Sequence, residues 1–393
     1  MAVSVDNRPT RARPTGARSV LAALLTVLIL VPTGYLFYRT WQHNSDARNS
    51  TKLEQQGVEY LASLAPLISS LAESESSALQ GVAAAPASVA VAVSGLNSVD
   101  QRLGDALQTR ERWTGLKGKI ERLPSVTGQT QTIFQAHVEV MDLALALYDA
   151  VRSNSTLVRD PDNDLSHLQQ AVAVDLPNTV VQVNRMGDLA LMLAGLTGDA
   201  AQRAAQQAVL GPQFGAAVQS VGSAEASLTD NLQAAVDDTN STTLSGNLVT
   251  SLDSFRRGVE NLTRGANPGG APVSATMATA QTQLQTSLTR LSSVTLREMA
   301  KLLDDRLSSL NTQRIGALAA IGLAVLLVLA ALLLRLTGRR SRHVSAAGGG
   351  ENTRGGVSVG HGGNDSGYGN PSDPPPPYGE VNPTRRERSG ALR

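Results

Sequence analysis

The chain has 393 residues, with 34 basic and 33 acidic side chains, a formal net charge of +1, a 3% share of aromatics and no cysteine. The missing cysteine excludes disulfides, thiol catalysis, thiolate metal sites and iron–sulfur clusters, so stability has to come from packing. The near-neutral total conceals a mildly acidic middle between two basic ends, and those basic clusters flank apolar segments, which argues against nucleic acid as a partner.

Residues 1–19 form a basic N-terminus in which Arg8, Arg11, Arg13 and Arg18 stand against Asp6. The apolar run Val20–Tyr38 follows. It is too long for a signal-peptide core and ends in Tyr35, Phe37, Tyr38 and Trp41 instead of small residues, so 20–38 reads as a first transmembrane helix with an aromatic belt. A second run, Ile315–Leu334, reads as a span over 315–336 and is followed by Arg335, Arg339, Arg340 and Arg342. By the positive-inside rule both termini are cytoplasmic and 39–314 lies outside. Arginine in excess of lysine, with abundant alanine, valine and threonine, fits a GC-rich bacterial genome, so the expected location is the bacterial cytoplasmic membrane, crossed twice.

Between the spans, apolar residues recur every three or four positions, predicting an all-α fold. The stripe Leu53, Tyr60, Leu64, Leu67, Ile68 and Leu71 continues the first span into one helix, which Gly81 and Pro86 end. A second helix is expected over 88–122, stopping at Pro124. A third carries Ile133, Phe134, Val138, Met141, Leu145 and Tyr148 and ends near Asn154. Asp160-Pro161-Asp162 opens the next, with Asp160 as N-cap and Pro161 at the first helical position. A calcium loop starting at Asp160, Asp162 and Asp164 is disfavoured, because Leu165 and Ala171 occupy the glycine and bidentate-glutamate positions.

A helix pair is expected over 199–263, then a loop at Asn267-Pro268-Gly269-Gly270. Leu284, Leu288, Leu291, Val294 or Thr295, Met299, Leu302, Leu303, Leu307 and Leu310 step directly into the second span, predicting one helix of about sixty residues, or about 90 Å. The whole is an elongated antiparallel helical bundle, single or doubled end to end, between two transmembrane helices. Residues 337–393, rich in glycine and proline, are a disordered cytoplasmic tail. Its Pro374–Tyr378 segment favours polyproline II and matches a PPxY pattern, read first as a solvated spacer and second as a docking element for an unknown cytoplasmic partner.

No zinc-protease, phosphate-loop, dinucleotide or nucleophile-elbow motif is present, so the chain reads as a non-enzyme with no catalytic, cofactor or metal residue to name. Of His43, His137, His167, His343 and His361, none forms a ligand pair at helical spacing, and His137 and His167 read as partly exposed helix residues. Arg159 and Arg185 are candidates to face an interhelical pocket for a small anion, although solvated or capping roles come first.

The stretch Lys52–Leu61 with Leu64-Ala65-Pro66-Leu67 resembles the first periplasmic helix of bacterial methyl-accepting chemotaxis proteins and related sensor histidine kinases. Trp113 with Leu116, Phe134–His137, Ser155–Leu157 leading to Asp160–Asp164, Leu176-Pro177 and Leu302–Leu307 are similar to further signposts of that all-helical sensor region, in the same order. The resemblance covers about 52–310. It implies a receptor that senses small molecules outside the cell and passes shifts of its last helix inward, with pairing of two copies through the first helix. Leu71–Ser76 departs from that pattern, and after Arg342 there is no HAMP-like helix pair, methylatable hairpin or kinase domain, so output is expected through a separate partner. The expected function is a receptor-like membrane protein that binds a small ligand or envelope component. The alternative is a scaffold that uses the bundle for oligomerisation and the tail for protein contacts.

Overall fold

The structure is a computed structural model that describes residues 15–82, 85–158, 160–267 and 272–340, with the side chains of 15–23, 25, 332 and 334–340 excepted. The first fourteen residues, Arg159, most of the 267–270 loop, and the tail with His343, His361 and Pro374–Tyr378 lie outside the described residues. The chain divides into residues 1–327, to which the packing below belongs, and 328–393, whose described part is the last stretch of the final helix.

Every regular element among the described residues is a helix. α1 (Thr15–Leu79) runs 65 residues, about 100 Å at 1.5 Å per residue, through Pro32 and Pro66. Leu61, Leu64, Leu67 and Leu71 form its inner stripe, each at most 1% exposed. Burial of such a side chain is worth about 1.5–3 kcal/mol. Gly81, at φ +86, supplies the left-handed turn that stops α1, and α2 (Ala87–Leu103) starts after Pro86.

The helix expected over 88–122 is two. Residues 104–109 break it, with Gln108 at φ +52, before α3 (Arg110–Ile120). The break has a polar cause in the core: buried Asp100 accepts Tyr60 Oη (2.9 Å) and Thr109 Oγ1 (2.7 Å), a closure that a straight helix would not allow. Leu107, fully buried, fills the turn.

α4 (Thr130–Asn154) ends where expected. α5 (Asn163–Gln170) opens differently: Asp162, not Asp160, holds the N-cap position, and Asp160 Oδ1 accepts the Asp162 amide at 2.8 Å. A π turn at Ala171–Asp175 joins α5 to α6 (Leu176–Ala194), with the Leu176 amide donating five residues back to Ala171. Pro177 accounts for it. Its ring has no N–H for the Ala173 carbonyl and would clash with it, so the backbone widens by one residue just before. α7 (Ala200–Asp238) begins with a capping box between Asp199 and Gln202, and α8 (Leu244–Ala266) ends in left-handed Asn267. α9 (Ser274–Arg340) runs 67 residues.

α1 packs against α2, α4 and α6, α6 against α7, and α7 against α5 and α8. α9 is antiparallel to α1: Asn44 Nδ2 donates to Leu310 O, Glu54 pairs with Arg306, and Gln55 donates to Asp304, so rising α1 numbers meet falling α9 numbers. The same polarity relates α9 to α6, through Gln281 to Asn184 and Gln285 to Val180 O, and to α8, where Asn247 meets Glu298 and Gly258 lies against Leu284.

Toward one end, α1 and α9 turn apolar on the outside. Val27, Leu28, Ile29, Val31 and Leu36 of α1 are all more than half exposed. α9 holds an eighteen-residue window of mean hydropathy 2.3 with none of it buried, long and apolar enough to cross a membrane. Just inside these segments the Arg314 guanidinium sits 4.1 Å from the centre of the Trp41 ring, which Phe37 also approaches.

Gly57 of α1 lies so close to α4 that a Cβ would overlap Ser155 Oγ and Cβ, and Ser155 is itself tied to Val151 O at 2.6 Å. Gly95 of α2 faces open space. Gly57→Ala should therefore destabilise by about 1–3 kcal/mol through overpacking, and Gly95→Ala should stabilise by about 0.5–1 kcal/mol through helix propensity. Chemical denaturation of the two variants checks the opposite signs.

Candidate functional site

A groove of about 680 Å³ lies between α1, α6 and α9. α1 contributes residues from Gln55 to Ser69 and α9 residues from Leu288 to Asp304, so the groove is about 20 Å long by the helical rise. Its volume lies within the roughly 300–1,000 Å³ of small-molecule sites. Two prolines shape it. Pro66 of α1 cannot donate to the Ala62 carbonyl, which leaves α1 locally loosened, and Pro177 places the π turn at the groove's α6 edge. Tyr148 of α4 reaches its floor.

Below one end of the groove a single guanidinium gathers three acids. Arg306 of α9 makes two bonds to Asp160 (2.6 and 2.8 Å), one to Asp162 (2.9 Å) and one to Glu54 of α1 (3.4 Å). Asp160 is completely buried, and Gln169 donates to its second oxygen at 3.2 Å. Because Asp160 and Asp162 already neutralise Arg306, Glu54 is an excess carboxyl. Burial, and then the charge of Asp160, push its pKa up to about 7.

A second buried cluster joins α1 and α6. Asn184 Nδ2 donates to Glu75 Oε2 (2.8 Å) and to Asp188 Oδ2 (2.7 Å), and Ser76 Oγ donates to Asp188 Oδ1 (2.7 Å). Gln281 of α9 donates to the Asn184 oxygen. Glu75 Oε1 is buried without a hydrogen-bond partner. Burial and the charge of Asp188 raise the Glu75 pKa well above the usual range, and burial raises that of Asp188; Arg185 works against the shift on Glu75.

The residues singled out in the sequence do not converge. Arg185 donates to Asp142 at the surface (3.3 Å) beside the Glu75–Asp188 acids, surroundings that disfavour an anion. His167 is half-exposed and paired with Asn231 Oδ1 (3.1 Å). His137 is buried, not partly exposed, because the Phe134, His137, Met141 face of α4 turns inward, and burial lowers its pKa to about 4. Asp164 accepts Thr239 Oγ1 (2.8 Å), so the acids of the rejected calcium loop point to Arg306 and α7. Sequence reading missed Glu54, Glu75, Asp188 and Arg306. The available signal was an acid or arginine on an otherwise apolar helical face, as at Glu75 four residues beyond Leu71.

No family model matches the chain, and searches of curated proteins and of solved structures return no match.

Glu54, Glu75 and Asp188 all hold their protons more tightly folded than unfolded, where the ordinary values are 4.5 for Glu and 3.8 for Asp. Above the unfolded value the folded chain carries extra protons, so stability falls as pH rises, for Glu54 until about 7. His137 acts in the opposite sense: stability is lost as pH falls from 6.5 through about 4. Melting temperature should therefore rise on acidification from pH 8 to about 6.5, and a Glu54→Gln, Glu75→Gln double variant should flatten that rise. Arg306→Met strands Glu54 and Asp160 and should cost about 3 kcal/mol at pH 8, and less at pH 5, in denaturant titrations.

Proposed function

We propose that this is a receptor-like, non-enzymatic integral membrane protein, whose extracytoplasmic helices take a small ligand or envelope component into the groove and report through a separate partner. One observation carries the reading: the groove is walled by α1 and α9, the two helices that continue into the exposed apolar segments. An occupant between them would change their spacing, and a helix of α9's length carries a small displacement without a joint. In this reading residues 20–38 and 315–336 both cross the bacterial cytoplasmic membrane, with both termini cytoplasmic, and the region between them is a doubled antiparallel bundle. One half is α1 to α4. The other is α5 to α9, and α1 joins the two by packing against α2 and α4 on one side and α6 on the other.

The apolar character of much of the groove favours a second reading, a scaffold in which a second copy covers this face. Thermal unfolding of the full chain in lipid nanodiscs, against a panel of amino acids, organic acids, nucleobases, lipids and cell-wall fragments, separates the two. A saturable upward shift that Ala300→Trp removes supports the receptor. No shift, with self-association that Ala300→Trp disrupts, supports the scaffold. Because the chain has no native cysteine, topology is tested by single substitutions. Thr127→Cys should react with an impermeant maleimide in intact cells, and Ser4→Cys only after lysis; the reverse pattern would overturn the orientation.

A further inference from the structure

The groove's dimensions and charges narrow what it takes, if the ligand-binding reading above holds. About 680 Å³ spread along about 20 Å makes an elongated groove, a shape that suits an extended chain. Beyond the level of Ala62 the walls are mostly apolar, with Ala65 and Ile68 of α1, Val180 of α6, and Leu288 and Leu296 of α9, and carry the hydroxyls of Ser69, Thr289, Ser292 and Ser293. The charged groups gather toward the other end, the one nearer the apolar segments of α1 and α9, and there the acids are already engaged. Glu59 is neutralised by Arg102 at 2.6 Å, and Asp304, at the far limit of this end, accepts from Gln55 and keeps its charge seven residues from Arg297.

Arg297 is different. Its Nε donates to Ser293 O at 3.0 Å, and none of the ion pairs among the described residues includes it. In the antiparallel register of α1 and α9, with Gln55 opposite Asp304, Arg297 stands level with Ala62, where the apolar walls begin. An exposed guanidinium midway along a largely apolar groove, its terminal nitrogens without a partner among the described residues, matches an anionic head on an apolar chain.

We propose that the groove binds a single-chain amphiphile with an anionic head, the head at Arg297 and the chain running between α1, α6 and α9 toward Leu288. A free long-chain carboxylate and a membrane-derived lysophospholipid share this chemistry.

The test uses the full chain in nanodiscs of zwitterionic lipid, with fluorescent anthroyloxy-palmitate as probe and empty nanodiscs as the partition blank. Saturable binding is expected above the blank, displaced by palmitate at least tenfold better than by hexadecanol, which has the same chain and no charge. Arg297→Glu should weaken palmitate at least tenfold and leave hexadecanol unchanged, and Ala65→Trp or Ala300→Trp should remove both. Displacement by lysophosphatidylglycerol as well assigns the membrane as the source; palmitate binding that lysophosphatidylglycerol does not displace assigns the free acid. Equal displacement by palmitate and hexadecanol, or palmitate binding unaltered in Arg297→Glu, overturns the anionic head. If neither binds while another panel compound gives a shift sensitive to Ala300→Trp, the ligand class is wrong and the receptor reading stands. If nothing binds and Ala300→Trp instead breaks self-association, both fall and a second copy is the occupant.

Discussion

The bond between Arg306 and Asp160 holds three parts of this chain in one place. Arg306 stands on α9, Asp160 in the connection between α4 and α5, and Glu54 on α1. With the Asp160 side chain fully buried, the guanidinium cannot leave without stranding its carboxylate away from solvent. The α1–α9 register is thereby pinned, and with it the level of the groove that lies along the same two helices. Asp160 is also withdrawn from capping α5, so the chain gives up a local helix cap for a tertiary ion pair.

Polar groups recur at intervals along a core built otherwise from leucine, valine and alanine. Tyr60, Asp100 and Thr109 tie α1 to the α2–α3 corner; Glu75, Asn184 and Asp188 tie α1 to α6, with Gln281 joining from α9; Asp175 in the π turn accepts Ser227 and Asn231 of α7. A leucine stripe repeats closely enough that one helix can slip by a turn against its neighbour at little cost. Buried hydrogen bonds at fixed levels remove that freedom, because a slip would leave each partner unsatisfied.

The groove arises where this packing is relaxed. Pro66 and Pro177 each break a backbone hydrogen bond on a helix that borders it, and small residues, Ala62, Ala65 and Ala300, leave the space unfilled. Leu61, Leu64 and Leu67 point away from it into the core, whereas Ile68, Val180, Leu288 and Leu296 belong to both core and groove wall. Its polarity is uneven along its length, and that unevenness, more than its size, gives it chemical character.

What the sequence determined by itself is the part governed by local periodicity. The all-helical class, the long first and last helices, the stop at Gly81, the end of α4 at Asn154 and the α7–α8 pair follow from three- and four-residue spacing and from glycine and proline. The tertiary structure decided whatever depends on partners distant in the chain. It split 88–122 because Asp100 meets Tyr60 forty residues away; it took Asp160 from the α5 cap because Arg306 lies 146 residues on; it turned His137 inward and gathered Glu54, Glu75, Asp188 and Arg306 on buried faces. An isolated acid on an apolar stripe reads the same whether it meets water, a guanidinium or another acid. Only the packing of helices against one another selects the neighbour, and the neighbour sets the charge, the protonation and the shape of the site.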